Sequence, residues 1–217
     1  MAASFLAGVG TRFGALRSPQ YRRYWLGNFG AVTGQQMMWL ANGWLVYSLT
    51  DSAVYLGYTG LVTALPAILL NLIGGVLADR LDQRRVIAVT QIVTTTAVFV
   101  LATLTALELV HVWHVLVVAF IMGAMQAFNN PARQSIFPQL IEKKDMMSAV
   151  SLNSMVWQST RMLAPALAGI VVTVAGMAVT YYVCCLSFLA LGVAVVGLKV
   201  QPQASRRHAS MLKDLGE

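Results

Sequence analysis

Six apolar stretches run along the chain, at residues 24–49, 54–77, 86–107, 112–128, 150–174 and 178–199. Each approaches or exceeds the roughly 20 residues that a helix needs to cross about 30 Å of hydrocarbon. Polar and turn-forming residues punctuate them. Thr50-Asp51-Ser52 is a short turn, residues 79–85 form a charged hairpin, and Ala175-Gly176-Met177 is a tight link. Asn129-Asn130-Pro131 predicts the end of the fourth stretch, because proline disfavours helix at the residue before it. Only a helix satisfies its own backbone over such a span. The pattern therefore predicts an all-α membrane protein: a cytoplasmic N-terminal segment over 1–23, a six-helix bundle over 24–199, and a cytoplasmic segment over 200–217.

Charge orients the bundle. Arg12, Arg17, Arg22 and Arg23 precede the first stretch; Arg80, Arg84 and Arg85 follow the second; Arg133, Lys143 and Lys144 follow the fourth; Lys199, Arg206, Arg207 and Lys213 follow the sixth. The intervening turns carry Asp51 and Glu108 and no basic residue. Lysine and arginine accumulate on the cytoplasmic side of membrane proteins. The alternation predicts six crossings with both termini in the cytoplasm. The tail carries charge and no helix-closing signal, so the chain is expected to continue as a linker.

Composition narrows the function. The 217 residues are 58% hydrophobic and 11% charged, against about 25% charged in a soluble domain. The net charge of +7 is accounted for by orientation and attraction to anionic lipid, not by nucleic acid. The first ten residues place no basic residue before their apolar run, so no cleaved signal peptide is predicted. Cys184 and Cys185 are adjacent, and neighbours on a helix face different ways; they read as packing residues. His111 and His114 flank Trp113 at the outer end of the fourth stretch, a position suited to the interfacial belt. No metal, no cofactor and no catalytic set is predicted.

Polar residues inside the membrane point to a pathway. Asn28, Gln35 and Asn42 recur every seven residues in the first stretch, with Trp39 beside them. Such a stripe turns away from lipid, either to line a cavity or to bond a neighbouring helix. Gln126 lies in the fourth stretch. In the fifth, Arg161 is preceded by Trp157 and Asn153 at one-turn intervals, which allows a cation–π contact with Trp157. A central arginine costs at least about 2.5 kcal/mol in lipid, so Arg161 must meet a substrate, a cavity or a polar partner. Ala164, Pro165, Ala168 and Gly169 follow, read either as close helix packing or as a flexing point.

The hairpin after the second stretch reads Gly75-Val76-Leu77-Ala78-Asp79-Arg80, then Arg84 and Arg85. This pattern resembles the signature loop of the major facilitator superfamily. The resemblance implies two six-helix bundles, each a 3+3 inverted repeat, around a cavity with alternating access. It further implies a cytoplasmic gate at Asp79, Arg80, Arg84 and Arg85, with Gly75 as a packing position. The superfamily's glycine and arginine are here Asp82 and Gln83. Tyr21 to Asn28, Pro131-Ala132-Arg133-Gln134, Pro138-Gln139-Leu140, Asn153, and Arg161 to Gly169 are similar to the enterobactin-exporter-like branch. That branch implies efflux of siderophores, macrolides or other amphipathic small molecules across the cell inner membrane, as an antiporter. Gln35 stands where relatives often carry an acid, and Ala164 where antiporters carry glycine.

The leading expectation is the N-terminal half of a secondary exporter, with a small-molecule substrate and a second six-helix half as partner. The alternatives are a six-helix carrier acting as two copies and a non-transporting membrane assembly subunit.

Overall fold

The computed structural model describes residues 14–198, except for the side chains of residues 72–80. Six helices follow one another: α1 (Pro19–Thr50), α2 (Ala53–Arg80), α3 (Gln83–Ala106), α4 (Val112–Ile136), α5 (Met146–Ala175) and α6 (Met177–Val196). Single-turn 3₁₀ segments cover Gly14–Arg17, Phe137–Leu140 and Lys143–Asp145. No strand is present among the described residues.

The connections are short because their caps are local. Ser18 caps α1 and Pro19 occupies its first turn, where a missing N–H is harmless. Asp51 closes α1 in the left-handed region, φ 49°, and the chain reverses within two residues. Asp82 caps α3 by accepting from the Arg84 backbone N–H at 3.0 Å. Between α5 and α6 stands Gly176 alone, at φ 88°, a conformation that side-chain-bearing residues rarely adopt.

Packing follows a repeated scheme. Helix α2 lies along α4, as α5 lies along α1; α3 packs on α4, as α6 packs on α1; α3 and α6 pack on each other. Exchanging α1–α3 with α4–α6 leaves this pattern unchanged, and a unit with an odd number of crossings must repeat upside down. The expected 3+3 inverted repeat is therefore visible in which helices touch. Closest approach occurs where α2 meets α4: a Cβ on Gly123 would collide with the Thr63 backbone carbonyl and press on Pro66.

Lipid offers no hydrophobic drive between helices, so packing and polar contacts must hold them. Tyr21 donates its hydroxyl to the Ala149 carbonyl (3.2 Å) and Trp25 its Nε1 to the Leu152 carbonyl (3.4 Å), tying α1 to α5. The Tyr181 hydroxyl donates to Asn42 Oδ1 (3.1 Å), tying α6 to α1. Gln91 Nε2 donates to the Phe188 carbonyl (3.2 Å), tying α3 to α6.

Two expectations from the sequence are corrected. Helix α4 does not stop at Asn129-Asn130-Pro131; it continues to Ile136 with Pro131 inside it. The local preference of residue 130 is outweighed by the burial of Ala127, Asn129, Ala132, Arg133 and Ile136 on one continuing face. Arg133 consequently belongs to the bundle interior and not to a cytoplasmic loop, which leaves Lys143 and Lys144 as the basic residues of that cluster. Helix α1 also begins at Pro19, so Arg22 and Arg23 lie on its first turns.

Among the described residues, five helices are long and apolar enough to cross a membrane by length and composition; α1, with its amides and two arginines, is not among them. Over those stretches α2 and α5 are 6% and 17% buried, against 44% for α4 and α6. The bundle thus leaves α2 and α5 largely uncovered.

Candidate functional site: an uncovered polar stripe and an inner polar cluster

The polar residues of the spans separate into two sets. The first is on α5. Ser151, Ser154, Gln158 and Arg161 follow helical spacing along its uncovered side, while Ala149, Leu152, Val156, Thr160, Ala164 and Ala168 occupy the buried side. Arg161 is the sixteenth of thirty residues, midway along the helix. Its guanidinium has no hydrogen bond, ion pair or ring contact among the described residues. No cation–π contact between Arg161 and Trp157 is formed among the described residues; Trp157 and Asn153 are half-buried beside the stripe. Ala164 is fully buried and Pro165 half-buried inside the helix. Gly169 was expected to admit a close neighbour, but a Cβ there would meet nothing within 4 Å. Close packing on this helix rests on Ala164 and Ala168.

The second set lies within the bundle. Arg133 is 9% exposed, and its Nη1 donates to Asn28 Oδ1 at 3.1 Å. The Tyr24 hydroxyl donates to the Arg133 carbonyl at 3.4 Å. Asn129, one turn earlier on α4, donates its amide to the Thr90 hydroxyl of α3. Gln35, Gln91, Thr94, Gln126 and Asn129 join Arg133 around a small, partly open cavity between α1, α3 and α4, with Phe188 of α6 in its lining. The stripe on α1 therefore splits by role. Asn28 and Asn42 bond neighbouring helices, Gln35 lines the inner cavity, and Trp39 is 67% exposed. Trp39 stands about 40° round from Gln35, enough to carry a side chain out of a narrow interface.

The sequence reading missed Thr90, Gln91, Thr94 and Asn129, and misplaced Arg133. A signal existed. Thr90 and Thr94 share a face with Val98 and Leu101, and Asn129 and Arg133 are one turn apart once α4 is allowed to continue past its proline.

At the hairpin, Gly75, Asp79 and Arg80 have side chains outside the described residues. Arg84 grips Asp82 with both arms, Nε to Oδ1 at 3.1 Å and Nη2 to Oδ2 at 2.9 Å, and donates Nη1 to the Leu198 carbonyl at 2.8 Å. The pair fixes the start of α3 to Leu198, two residues beyond α6. The Arg84 guanidinium holds the Asp82 carboxyl below its ordinary value. Asp82, a departure from the superfamily pattern, is thus both cap and clamp. Arg85 is exposed.

His111 and His114 form a helix cap: His114 Nδ1 accepts from the His111 backbone N–H at 2.9 Å, and the His114 ring lies on Trp113. Among the described residues, no three His, Cys, Asp or Glu side chains gather where a metal could bind. Cys184 and Cys185 are free and buried.

Residues 10–213 match the family described as transmembrane secretion effector, within the major facilitator superfamily. The chain belongs to that family. It is 29% identical over 171 residues to the staphyloferrin A transporter of Staphylococcus aureus, covering 75% of this chain and 43% of that protein. It is 23% identical over 150 residues to macrolide efflux protein A of Streptococcus pyogenes, covering 69% of this chain and 37% of that protein. The chain thus spans less than half the length of these relatives. No solved structure matches it. This transmembrane secretion effector family member is a multi-pass membrane protein of a transporter family. Its six helices are the bundle that the hairpin motif implied.

Proposed function

We propose that this chain is the N-terminal half of a secondary active exporter that moves an amphipathic small molecule by alternating access. The observation that carries the reading is Arg161, uncovered and without a partner among the described residues, midway along α5 and in line with Ser151, Ser154 and Gln158. A guanidinium at that depth facing lipid would cost at least about 2.5 kcal/mol. A stripe of four exposed polar residues with a central arginine belongs against water, substrate or another polar surface. Transporters built from repeated bundles carry their substrate at the interface between bundles.

In this reading a second six-helix half covers α2 and α5, and the stripe forms one wall of the cavity between them. Arg161 attracts an anionic or strongly polar group of the substrate, with Gln158, Asn153 and Trp157 beside it. The names of the relatives support a siderophore or macrolide as the type of cargo. Both termini lie in the cytoplasm, and the bilayer is the cell inner membrane. The hairpin of Asp79, Arg80, Arg84 and Arg85 acts at the cytoplasmic end, where Arg84 holds this half rigid. No Asp or Glu lies in the central part of any span of this half, so a proton-coupling group belongs to the other half. A second reading, two copies of this bundle around one cavity, rests on the same uncovered faces.

The test is efflux from cells expressing the complete reading frame, with Arg161→Ala and Arg161→Lys compared with wild type. Loss of efflux in the alanine variant at normal membrane abundance, with partial rescue by lysine, supports the reading. Unchanged efflux in Arg161→Ala refutes it. Efflux by this bundle alone, with cross-linked pairs of copies, would favour the two-copy carrier.

A further inference from the structure

Arg133 carries a charge that nothing described neutralises. It is 9% exposed, makes one side-chain hydrogen bond, to Asn28, and leaves its Nε shut off from solvent without a partner. The ion pairs among the described residues are Arg84 with Asp82 and Lys144 with Glu142, both at hairpins. Asp51, Glu108 and Asp145 stand at helix ends. An uncompensated cation inside a bundle is costly, and a hydrogen bond to an amide oxygen does not remove its charge.

The cavity beside it has the chemistry to supply the missing charge. Gln35, Thr94 and Gln126 face it with side-chain donors that make no hydrogen bond among the described residues. Gln91 and Asn129 each spend one amide hydrogen, on Phe188 and Thr90, and keep a second. Among the described residues, no carboxylate lines the space. Its volume is about 20 Å³, above the roughly 10–15 Å³ that one water needs and far below what a drug or siderophore group requires. Water would satisfy the donors but leave the charge standing.

We propose that this cavity binds one small monovalent inorganic anion, of chloride size, held by Arg133 with the amides of Gln35 and Gln126 and the hydroxyl of Thr94. The site is internal to this half and separate from the α5 stripe. The anion is a resident counter-ion that ties α1, α3 and α4 together.

The test uses the purified protein in nanodiscs, exchanged into sodium gluconate and titrated with sodium chloride. Thermal unfolding is followed by tryptophan fluorescence, and binding by line broadening of ³⁵Cl resonance. A saturable rise in melting temperature with matching line broadening is expected, both abolished in Arg133→Gln. Gln126→Leu, which keeps the charge, is expected to weaken chloride by about tenfold or more, as for one lost hydrogen bond to a charged group. If Arg133→Gln does not fold, the wild-type and Gln126→Leu titrations carry the test. Identical melting in gluconate and chloride without line broadening would mean the cavity holds only water, and the proposal fails. It also fails if chloride acts only in Asp79→Asn, which would make Asp79 the counter-ion. These readouts do not involve transport.

Discussion

The Arg133 guanidinium on α4 bonds Asn28 on α1 at 3.1 Å, inside the bundle, across 105 positions of sequence. These two helices begin the two repeats, so the contact joins the units, near the start of α1 and the end of α4. Hydrogen bonds to charged groups are worth about 1.5–3 kcal/mol, while those between neutral groups in membranes average about 0.6 kcal/mol. Asn28→Leu is therefore expected to destabilise the bundle by about 2 kcal/mol, measured as reversible unfolding in mixed micelles. Asn42→Leu, which removes the neutral Tyr181 contact, should cost less than half as much. Equal losses would mean that the charge at Arg133 plays no part.

The Asp82–Arg84 clamp gives stability a defined pH dependence. Asp82 has a lowered folded-state pKa, caused first by its hydrogen bond from the Arg84 side chain. A depressed carboxyl contributes stability above its unfolded value of about 3.9 and loses it as pH falls through the folded value. Melting temperature should thus drop below about pH 4 in wild type through this group. In Asp82→Asn that component should be absent, and Arg84→Gln should mimic it. An unchanged acid limb in Asp82→Asn would count against the clamp.

Gly123 sets the distance between α2 and α4. A Cβ there meets the Thr63 carbonyl, which is backbone and cannot move aside as a flexible side chain would. Overpacking of this kind costs about 1–3 kcal/mol. Gly123→Ala should lower the melting temperature, whereas Gly169→Ala, in open space, should not. The pair of variants separates packing from general intolerance of substitution on these helices.

Much of this architecture was legible in the chain because membrane helices are written in long runs. The hairpin residues Gly75 to Arg85 pointed to the superfamily, and five of the six spans have the apolar length the pattern demanded. What escaped was depth. Asn130-Pro131 reads as a stop by local preference, yet α4 buries Ala132, Arg133 and Ile136 beyond it, and tertiary burial outweighs a local preference. Arg133 was counted with loop charges for that reason alone. Asn28 and Asn42, which a period of seven keeps on one side of the helix, are both buried. That both bond neighbouring helices while Gln35 faces a cavity depends on partners such as Tyr181, remote in sequence.

The central claim is that the α5 stripe faces an aqueous pathway and not lipid. Ser154→Cys and Gln158→Cys, placed singly in the complete reading frame, can be challenged with a charged, membrane-impermeant thiol reagent. Leu186→Cys and Val193→Cys, on the uncovered apolar side of α6, serve as lipid-facing controls. The account predicts rapid labelling at 154 and 158, slowed by substrate, and none at 186 or 193. Labelling at 154 and 158 no faster than at the α6 positions would contradict it.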